Sequence, residues 1–350
     1  MIQKITIENF KVFDFIEIEG FSQINVFVGA NDSGKTSLLE AIFLSLAPSN
    51  PDLLFRTLFF RNFPTNASNI DSIFHNFNHK NPIKITTQDN QNIPFELQIS
   101  DTSSQNKPMD LQQKMEMDFS SNQIISELTF ISNINHQRAI VKSDFIRNAN
   151  QMSIPQNYPH KLGTFIPIEN LLLNDSLAIN INNIRKNKAT QRFIKYLQIF
   201  NPHIVDIEVN GVSVYVNLNN KSKLLDIHLM GTGFKKYAII LASIFEVLTR
   251  KGESDCFYVC VDEIENGLYF KNCEKLLESL IALGKEMNIQ YFFSTHSLEF
   301  LEILRKVSEK IEFKEQAIFQ IKETKKGIKA YRYSFEQSPY FDIEQLDPRD

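Results

Sequence analysis

No apolar run in this 350-residue chain reaches the ~20 residues that a membrane-spanning helix needs. The opening MIQKITIENFKVF alternates like a strand and has no signal-peptide core. Both absences point to a soluble, cytoplasmic protein without a membrane partner. Basic residues are in no excess: 37 Lys and Arg stand against 41 Asp and Glu, for a formal net charge of -4. A broad basic coat for nucleic acid is thereby excluded, and DNA binding is left to a local patch. Cysteine is scarce. Cys256 and Cys260 form a C-x3-C in or beside an apolar strand, with Cys273 further on, and they read as buried small side chains rather than as a metal site or a disulfide. Heptads, internal repeats and HNH-type acidic patterns are also missing, so neither a coiled-coil arm nor a nuclease centre is expected.

What is present is enough apolar sequence, 43%, to bury a sizeable core. One stretch of it is chemically odd. VCVDEIENGLYF, Val259 to Phe270, is an apolar strand that ends in adjacent carboxylates, Asp262 and Glu263, followed by Glu265. Clustered acids at a core edge are costly unless a positive charge compensates them, and a bound metal ion is one such charge.

The counterpart lies far upstream. INVFVG, Ile24 to Gly29, reads as a buried strand that runs into GANDSGKT and then the helical SLLEAIFLSLA. This is the P-loop pattern G-x-x-x-x-G-K-[ST] in its strand, loop and helix setting. Average residue frequencies give the bare pattern in roughly 1 of 100 chains this long. Gly29 and Gly34 let the backbone close round phosphates, and the loop residues Asn31, Asp32 and Ser33, with Ser37 in the helix, complete the cradle at a helix N-terminus. Lys35 is the expected ligand of the β and γ phosphates, and Thr36 the expected Mg²⁺ ligand. Asp262 then holds Mg²⁺, and Glu263 orients and deprotonates the attacking water. A helix over Tyr269 to Lys285 and a second apolar strand, NIQYFFSTHS, follow. A right-handed crossover would bring His296 to the same sheet edge as Glu263, where it can sense the γ phosphate.

Taken together, IENF, FVGANDSGKTSLLEAI, VDEIENGLYF and FFSTHS resemble the ABC-type ATPases of the SMC, RecF and OLD (overcoming lysogenization defect) group, DEIENGLYF being most like the stand-alone OLD ATPases. The resemblance covers Met1 to Phe43 and His228 to Leu304. It implies an α/β P-loop NTPase of ABC-head type, in two lobes, with a parallel-sheet core, an antiparallel β-subdomain and a helical subdomain. It also implies a signature loop, for which LMGTGFKKYAIILASIF supplies Gly231, Thr232 and Gly233. Gly231 stands where serine is usual, and Thr232 is the alternative hydroxyl. In the family that loop closes on the nucleotide of a second copy, which implies a homodimer around two ATP-Mg. Lys11 takes the place of a nucleotide-proximal arginine, with a solvated lysine as the competing reading. Gln151 and Gln156 are candidates for the glutamine that joins the lobes.

Between Pro48 and Leu162, Asn-rich loops separate the alternating runs PIKITTQ, PFELQIS, SELTFIS and RAIVKSDF, which suit the β-subdomain. The expected division is therefore 1–162 for the first lobe and 163–350 for the second. Arg185 to Phe200 reads as one basic amphipathic helix, IVDIEVNGVSVYVNL as a hairpin turning at Asn210 and Gly211, and Phe313 to Tyr333 as a closing hairpin. Only 54 residues follow His296, too few for the nuclease domain fused to many relatives. The implied function is a sensor or regulatory ATPase of an anti-phage system acting on a separate effector chain, possibly a nuclease. A RecF-like DNA clamp is the alternative, and a transporter ATPase a third class.

Overall fold

The computed structural model describes residues 1–59, 70–102, 124–134, 137–146, 151–152, 160–167, 173–250 and 256–333. Contacts divide the chain into two compact units that interleave in sequence. The first comprises Met1–Gly20, Glu40–His160 and Glu323–Ala330; the second comprises Phe21–Leu39, Lys161–Lys322 and Tyr331–Asp350. The single cut expected between 162 and 163 thus becomes an interleaving. The cause is topological: the strand that leads into the P-loop is hydrogen-bonded between strands contributed from beyond residue 288, so Phe21–Leu39 goes with the C-terminal half of the chain.

The first unit is built on an antiparallel seven-stranded sheet. Its strands are β1 (Ile2–Phe10), β2 (Phe13–Glu19), β4 (Ile83–Asp89), β5 (Pro94–Asp101), β6 (Ile124–Ile134), β7 (Gln137–Ile146) and β8 (Gln151–Met152), in the order β2-β1-β4-β5-β6-β7-β8. Alternation sets one face inward: Ile5 and Ile7 of β1, and Ile83 and Ile85 of β4, are fully buried. The four runs predicted as strands are β4 to β7. Gln151 pairs with Asp144 at the sheet edge, and Gln156 lies outside the described residues.

The strands of a six-stranded sheet come mostly from the second unit, Glu323–Ala330 of its edge hairpin being assigned to the first. Five of its strands are β3 (Ile24–Val28), β9 (Leu162–Ile166), β13 (Phe257–Val261), β14 (Ile289–Ser294) and β15 (Gln316–Thr324). With the hairpin strand β16 (Gly327–Tyr333) the order is β16-β15-β3-β14-β13-β9, and β15, β3, β14, β13 and β9 run parallel. These strands are hydrophobic runs because both sheet faces are covered. Ile24, Val26 and Val28 belong to the cluster shared with the helices, whereas Phe27 joins Phe21, Phe292 and Phe319 in an aromatic cluster. A smaller sheet of β10 (Ile204–Asn210), β11 (Ser213–Leu218) and β12 (Leu225–Asp226) precedes the signature region.

The helices are α1 (Lys35–Leu46), α2 (Asp52–Phe59), α3 (Leu173–Lys186), α4 (Thr190–Phe200), α5 (Thr232–Thr249), α6 (Phe270–Met287) and α7 (Leu298–Lys310). α5 is buried on nearly every side. Its Phe234, Tyr237 and Phe245 are each worth about 1.5–3 kcal/mol relative to exposure, and the Tyr237 hydroxyl donates to the Tyr196 carbonyl and contacts Ser279 Oγ. None of these helices is long and apolar enough to cross a membrane.

Two local expectations are corrected. Arg185 to Phe200 is not one helix: α3 ends at Lys186, Lys188 adopts φ +58°, and α4 begins at Thr190. Phe193 and Leu197 are buried, Arg192 pairs with Glu286 at 2.7 Å, and Phe200 packs on Phe234 and Tyr237. The β10–β11 turn sits one residue further on than expected. Asn210 pairs with Ser213, and the turn is Gly211–Val212 with positive φ at Gly211 alone. All three cysteines are buried, and among the described residues none forms a disulfide.

Candidate functional site

Everything in this site belongs to the second unit. Parallel pairing of β3, β14 and β13 brings their C-terminal ends to one edge, the place where open α/β sheets bind ligands. β3 delivers residues 29–37 there, β13 delivers Asp262 and Glu263, and β14 delivers Ser294 to His296.

The loop after β3 requires its glycine. Gly29 has φ +152°, and a Cβ there would lie 2.3 Å from the Ile321 carbonyl oxygen and 2.9 Å from Ser33 Oγ. Asp32 at φ +63° and Gly34 at φ +101° wind the chain back into α1. Asn31 and Asp32 are exposed, while Ser33, Lys35 and Ser37 are buried. The Lys35 ammonium donates to the carbonyls of Gly29 (2.9 Å) and Ala30 (2.7 Å). Burial pulls its pKa down to about 8, against the pull of Asp262, Glu263 and Glu265.

Thr36 faces Asp262. Its hydroxyl lies 2.9 and 3.1 Å from the two carboxylate oxygens, and Ser294 Oγ donates to Asp262 Oδ1. Ser294 Oγ also accepts the amide of Glu263 at 2.8 Å. Glu263 stands at φ +43°, a left-handed conformation that costs a non-glycine residue about 1–3 kcal/mol. Burial, then Asp262 and Glu265, hold its carboxyl above the ordinary range. His296 Nε2 is 3.6 Å from Glu263 Oε1, and its backbone amide donates to Glu265 Oε1 at 3.0 Å. Burial, and then Lys35, depress the imidazole pKa.

These residues fit a nucleotide and a hard cation. The Gly29 cradle is closed to any side chain, Ser33 Oγ is buried without a hydrogen-bond partner, and Thr36 with Asp262 offers oxygen ligands of the kind Mg²⁺ takes.

The signature candidates stand apart from this cluster in character. Gly231 is an exposed N-cap of α5 at φ +83°, Thr232 is exposed, and Gly233 sits where a Cβ would lie 2.7 Å from Asn272 Nδ2. Lys11 is in the first unit, and its ammonium forms an ion pair with the buried Glu40. Three residues have places that the sequence does not show. Glu265 stands there only as the third acid of its cluster, with no role attached, and Ser294 only as a polar residue of FFSTHS. Lys236 is buried with its ammonium 2.9 Å from the Glu263 carbonyl. Its signal was a charge sharing a helix face with Ile239, Ile240 and Ser243.

The fold is that of an SMC head, and with the site it defines a P-loop ATPase. Residues 24–302 match the family described as "AAA domain, putative AbiEii toxin, Type IV TA system", and the chain belongs to that family. It is 25% identical over 372 aligned positions to a Helicobacter pylori protein named ATP/GTP phosphatase, covering 97% of this chain and 98% of that one. A 48-residue segment, 14% of this chain and 6% of the relative, is 50% identical to the DNA double-strand break repair Rad50 ATPase of Methanopyrus kandleri. Among solved structures, an SMC head bound to the C-winged helix domain of ScpA superposes with a TM-score of 0.50 at 15% identity, over 96% of this chain and 98% of that one.

Proposed function

We propose that the protein is an ATP-hydrolysing switch whose two copies close head to head around two ATP molecules. The observation that carries this reading is the junction of P-loop and acidic strand: Thr36 against Asp262, with Glu263 fixed beside them through Ser294. The amides at the start of α1, residues 29–37 and Lys35 bind and orient the phosphates. Thr36 and Asp262 would hold Mg²⁺, which when bound would supply positive charge to the phosphates. Glu263 orients the attacking water and accepts its proton, a task favoured by its raised pKa. His296, just past the end of the neighbouring strand β14, contacts the γ phosphate and registers its loss.

Dimer closure rests on exposed surface round the signature candidates. Leu229 (72% exposed), Tyr269 (64%) and Phe270 (38%) flank Gly231 to Gly233, whose backbone comes near the Gly267 turn before α6. Apolar side chains this exposed suit a contact made only in the ATP state. Membership of a family described by a toxin–antitoxin system, with the resemblance to OLD ATPases, supports a regulatory role in defence that acts through a separate effector.

The test is the solution mass and phosphate release of Glu263→Gln with and without Mg-ATP, with Lys35→Ala as control. Expected are a turnover loss of at least about a hundredfold, a monomer-to-dimer shift with Mg-ATP, and no shift for Lys35→Ala. Unchanged turnover would overturn the role of Glu263, and unchanged mass the ATP-driven dimer.

A further inference from the structure

Hydrolysis needs Glu263 at one position, yet its own backbone does not favour that position. At φ +43° the residue sits in a region that side chains other than glycine's avoid. Something must over-determine the peptide on both sides. The amide side is held by Ser294 Oγ, which also donates to Asp262. The carbonyl side is held twice: the Asn266 amide donates to Glu263 O at 3.0 Å within the turn, and Lys236 Nζ donates to it at 2.9 Å from α5.

Lys236 is one helical turn beyond Thr232 on α5, so it lies on the same stripe as the exposed entry of the signature helix. Its residue is only 7% exposed, and burial weighs heavily on its charge. Such a cost is rarely retained for packing alone, since methionine fills the same volume. The surroundings are built for the ammonium. Glu265 favours its charge most among the neighbouring acids, ahead of Glu263 and Asp262. That same Glu265 accepts the His296 amide through Oε1, and its Oε2 is buried without a hydrogen-bond partner. One ammonium therefore anchors the backbone of the general base and lies in the field of the acid that anchors the γ-phosphate sensor.

We propose that Lys236 is a positioning residue for ATP hydrolysis, tying the signature helix to the peptide of Glu263 within the same head. Closure of a second copy on Gly231 to Gly233 bears on the first turn of α5, and the Lys236 contact passes any shift of that turn to Glu263. The tie is a reason for hydrolysis to depend on closure although base and P-loop reside in one chain. This inference rests on the hydrolytic reading of Glu263 given above.

The experiment compares wild type, Glu263→Gln, Lys236→Met and Lys236→Arg for kcat, KM, affinity for a fluorescent ATP analogue, and thermal midpoint. For Lys236→Met, kcat is expected to fall about tenfold to a hundredfold, the range that small misplacements of a catalytic group cost. Nucleotide affinity should stay within about twofold of wild type, because the P-loop is untouched, and the midpoint should not fall. Lys236→Arg, which keeps a cationic donor, should recover at least part of kcat. Wild-type kcat in a folded Lys236→Met protein would overturn the proposal. So would a loss of kcat matched by an equal loss of affinity, or by a lowered midpoint that Lys236→Arg shares. If Glu263→Gln itself hydrolysed normally, the assignment of the base would fail instead, a result read independently of either Lys236 variant.

Discussion

Gly29 and Lys35 are the centre of the proposed phosphate cradle, and each makes a sharp prediction. Gly29→Ala has no room: the added Cβ meets backbone at Ile321 rather than a mobile side-chain end. Nucleotide affinity should therefore drop by about a hundredfold or more, the loss of well-placed backbone donors each worth roughly 1.5–3 kcal/mol to a charged ligand. Titration with a fluorescent ATP analogue reads this directly. Lys35 predicts a pH dependence. Free of phosphate, its pKa is drawn down to about 8 by burial, and only the ammonium form attracts phosphate. Binding then raises that pKa, so ATP uptake is accompanied by proton uptake above pH 8. Affinity should be flat below pH 8 and weaken above it by up to about tenfold per pH unit, until the pKa of the bound state is reached. Lys236, also near 8, does not touch the phosphate loop, so Lys236→Met should keep this dependence while Lys35→Met abolishes it. A flat profile for wild type between pH 7 and 9 would refute the assignment.

At the scale of elements, three of the five parallel strands were legible because each ends in its chemistry: INVFVG in the P-loop, VCV in Asp262 and Glu263, YFFS in His296, whereas β9 and the parallel place of β15 had no such mark. A run buried on both faces has no periodicity to tell it from a buried helix segment, so its short length and the motif that closes it decide, and the motif fixes where it stops. α4 was harder. Basic residues at 185, 186 and 188 continue smoothly into the amphipathic pattern, and only the left-handed turn at Lys188 separates two helices. Such a turn at a lysine leaves no mark of the kind glycine or proline would leave. The interleaving of the two units was hidden for another reason: strand order is a non-local property, and β3 gives no local sign that β15 will be its neighbour. Lys236 was quoted but not weighed, since its partner is a backbone carbonyl 27 residues away, and backbone partners have no letter in the sequence. Where the element ends are explicit, prediction is direct. α7 opens with Ser297, whose Oγ accepts the Phe300 amide at 3.1 Å. Ser297→Ala should cost about 1 kcal/mol of stability, seen as a fall of about 2–4 °C in thermal midpoint. ATP affinity should be unaffected, because the phosphate cradle is on β3 and α1.

For the whole molecule, the decisive question is how a head with a buried hydrolytic cluster comes to expose apolar side chains at its signature entry. Leu229 lies in the short 3₁₀ turn Ile227–Met230 just before Gly231, while Tyr269 caps α6 and its ring meets that of Phe270 at a tilt, with centroids 4.3 Å apart. Core packing explains none of these exposures, and water is a poor neighbour for all three. In the proposed dimer a second copy would supply the missing cover, and the cost of exposure in the free monomer would then favour association once ATP joins the heads. Interface energies concentrate in a few aromatic anchors, so Tyr269→Ala should weaken the ATP-dependent dimer of Glu263→Gln by about 2 kcal/mol, roughly thirtyfold in dissociation constant. Leu229→Asp, which places a charge in the same patch, should abolish the dimer at micromolar protein. ATP-analogue binding by the monomer should stay within about twofold of the parent in both variants, since neither residue touches the P-loop. Sedimentation across a concentration series with Mg-ATP separates the two effects. Retained dimerisation in Leu229→Asp would place the ATP interface on another face, and loss of nucleotide binding would mean that the patch supports the monomer fold instead.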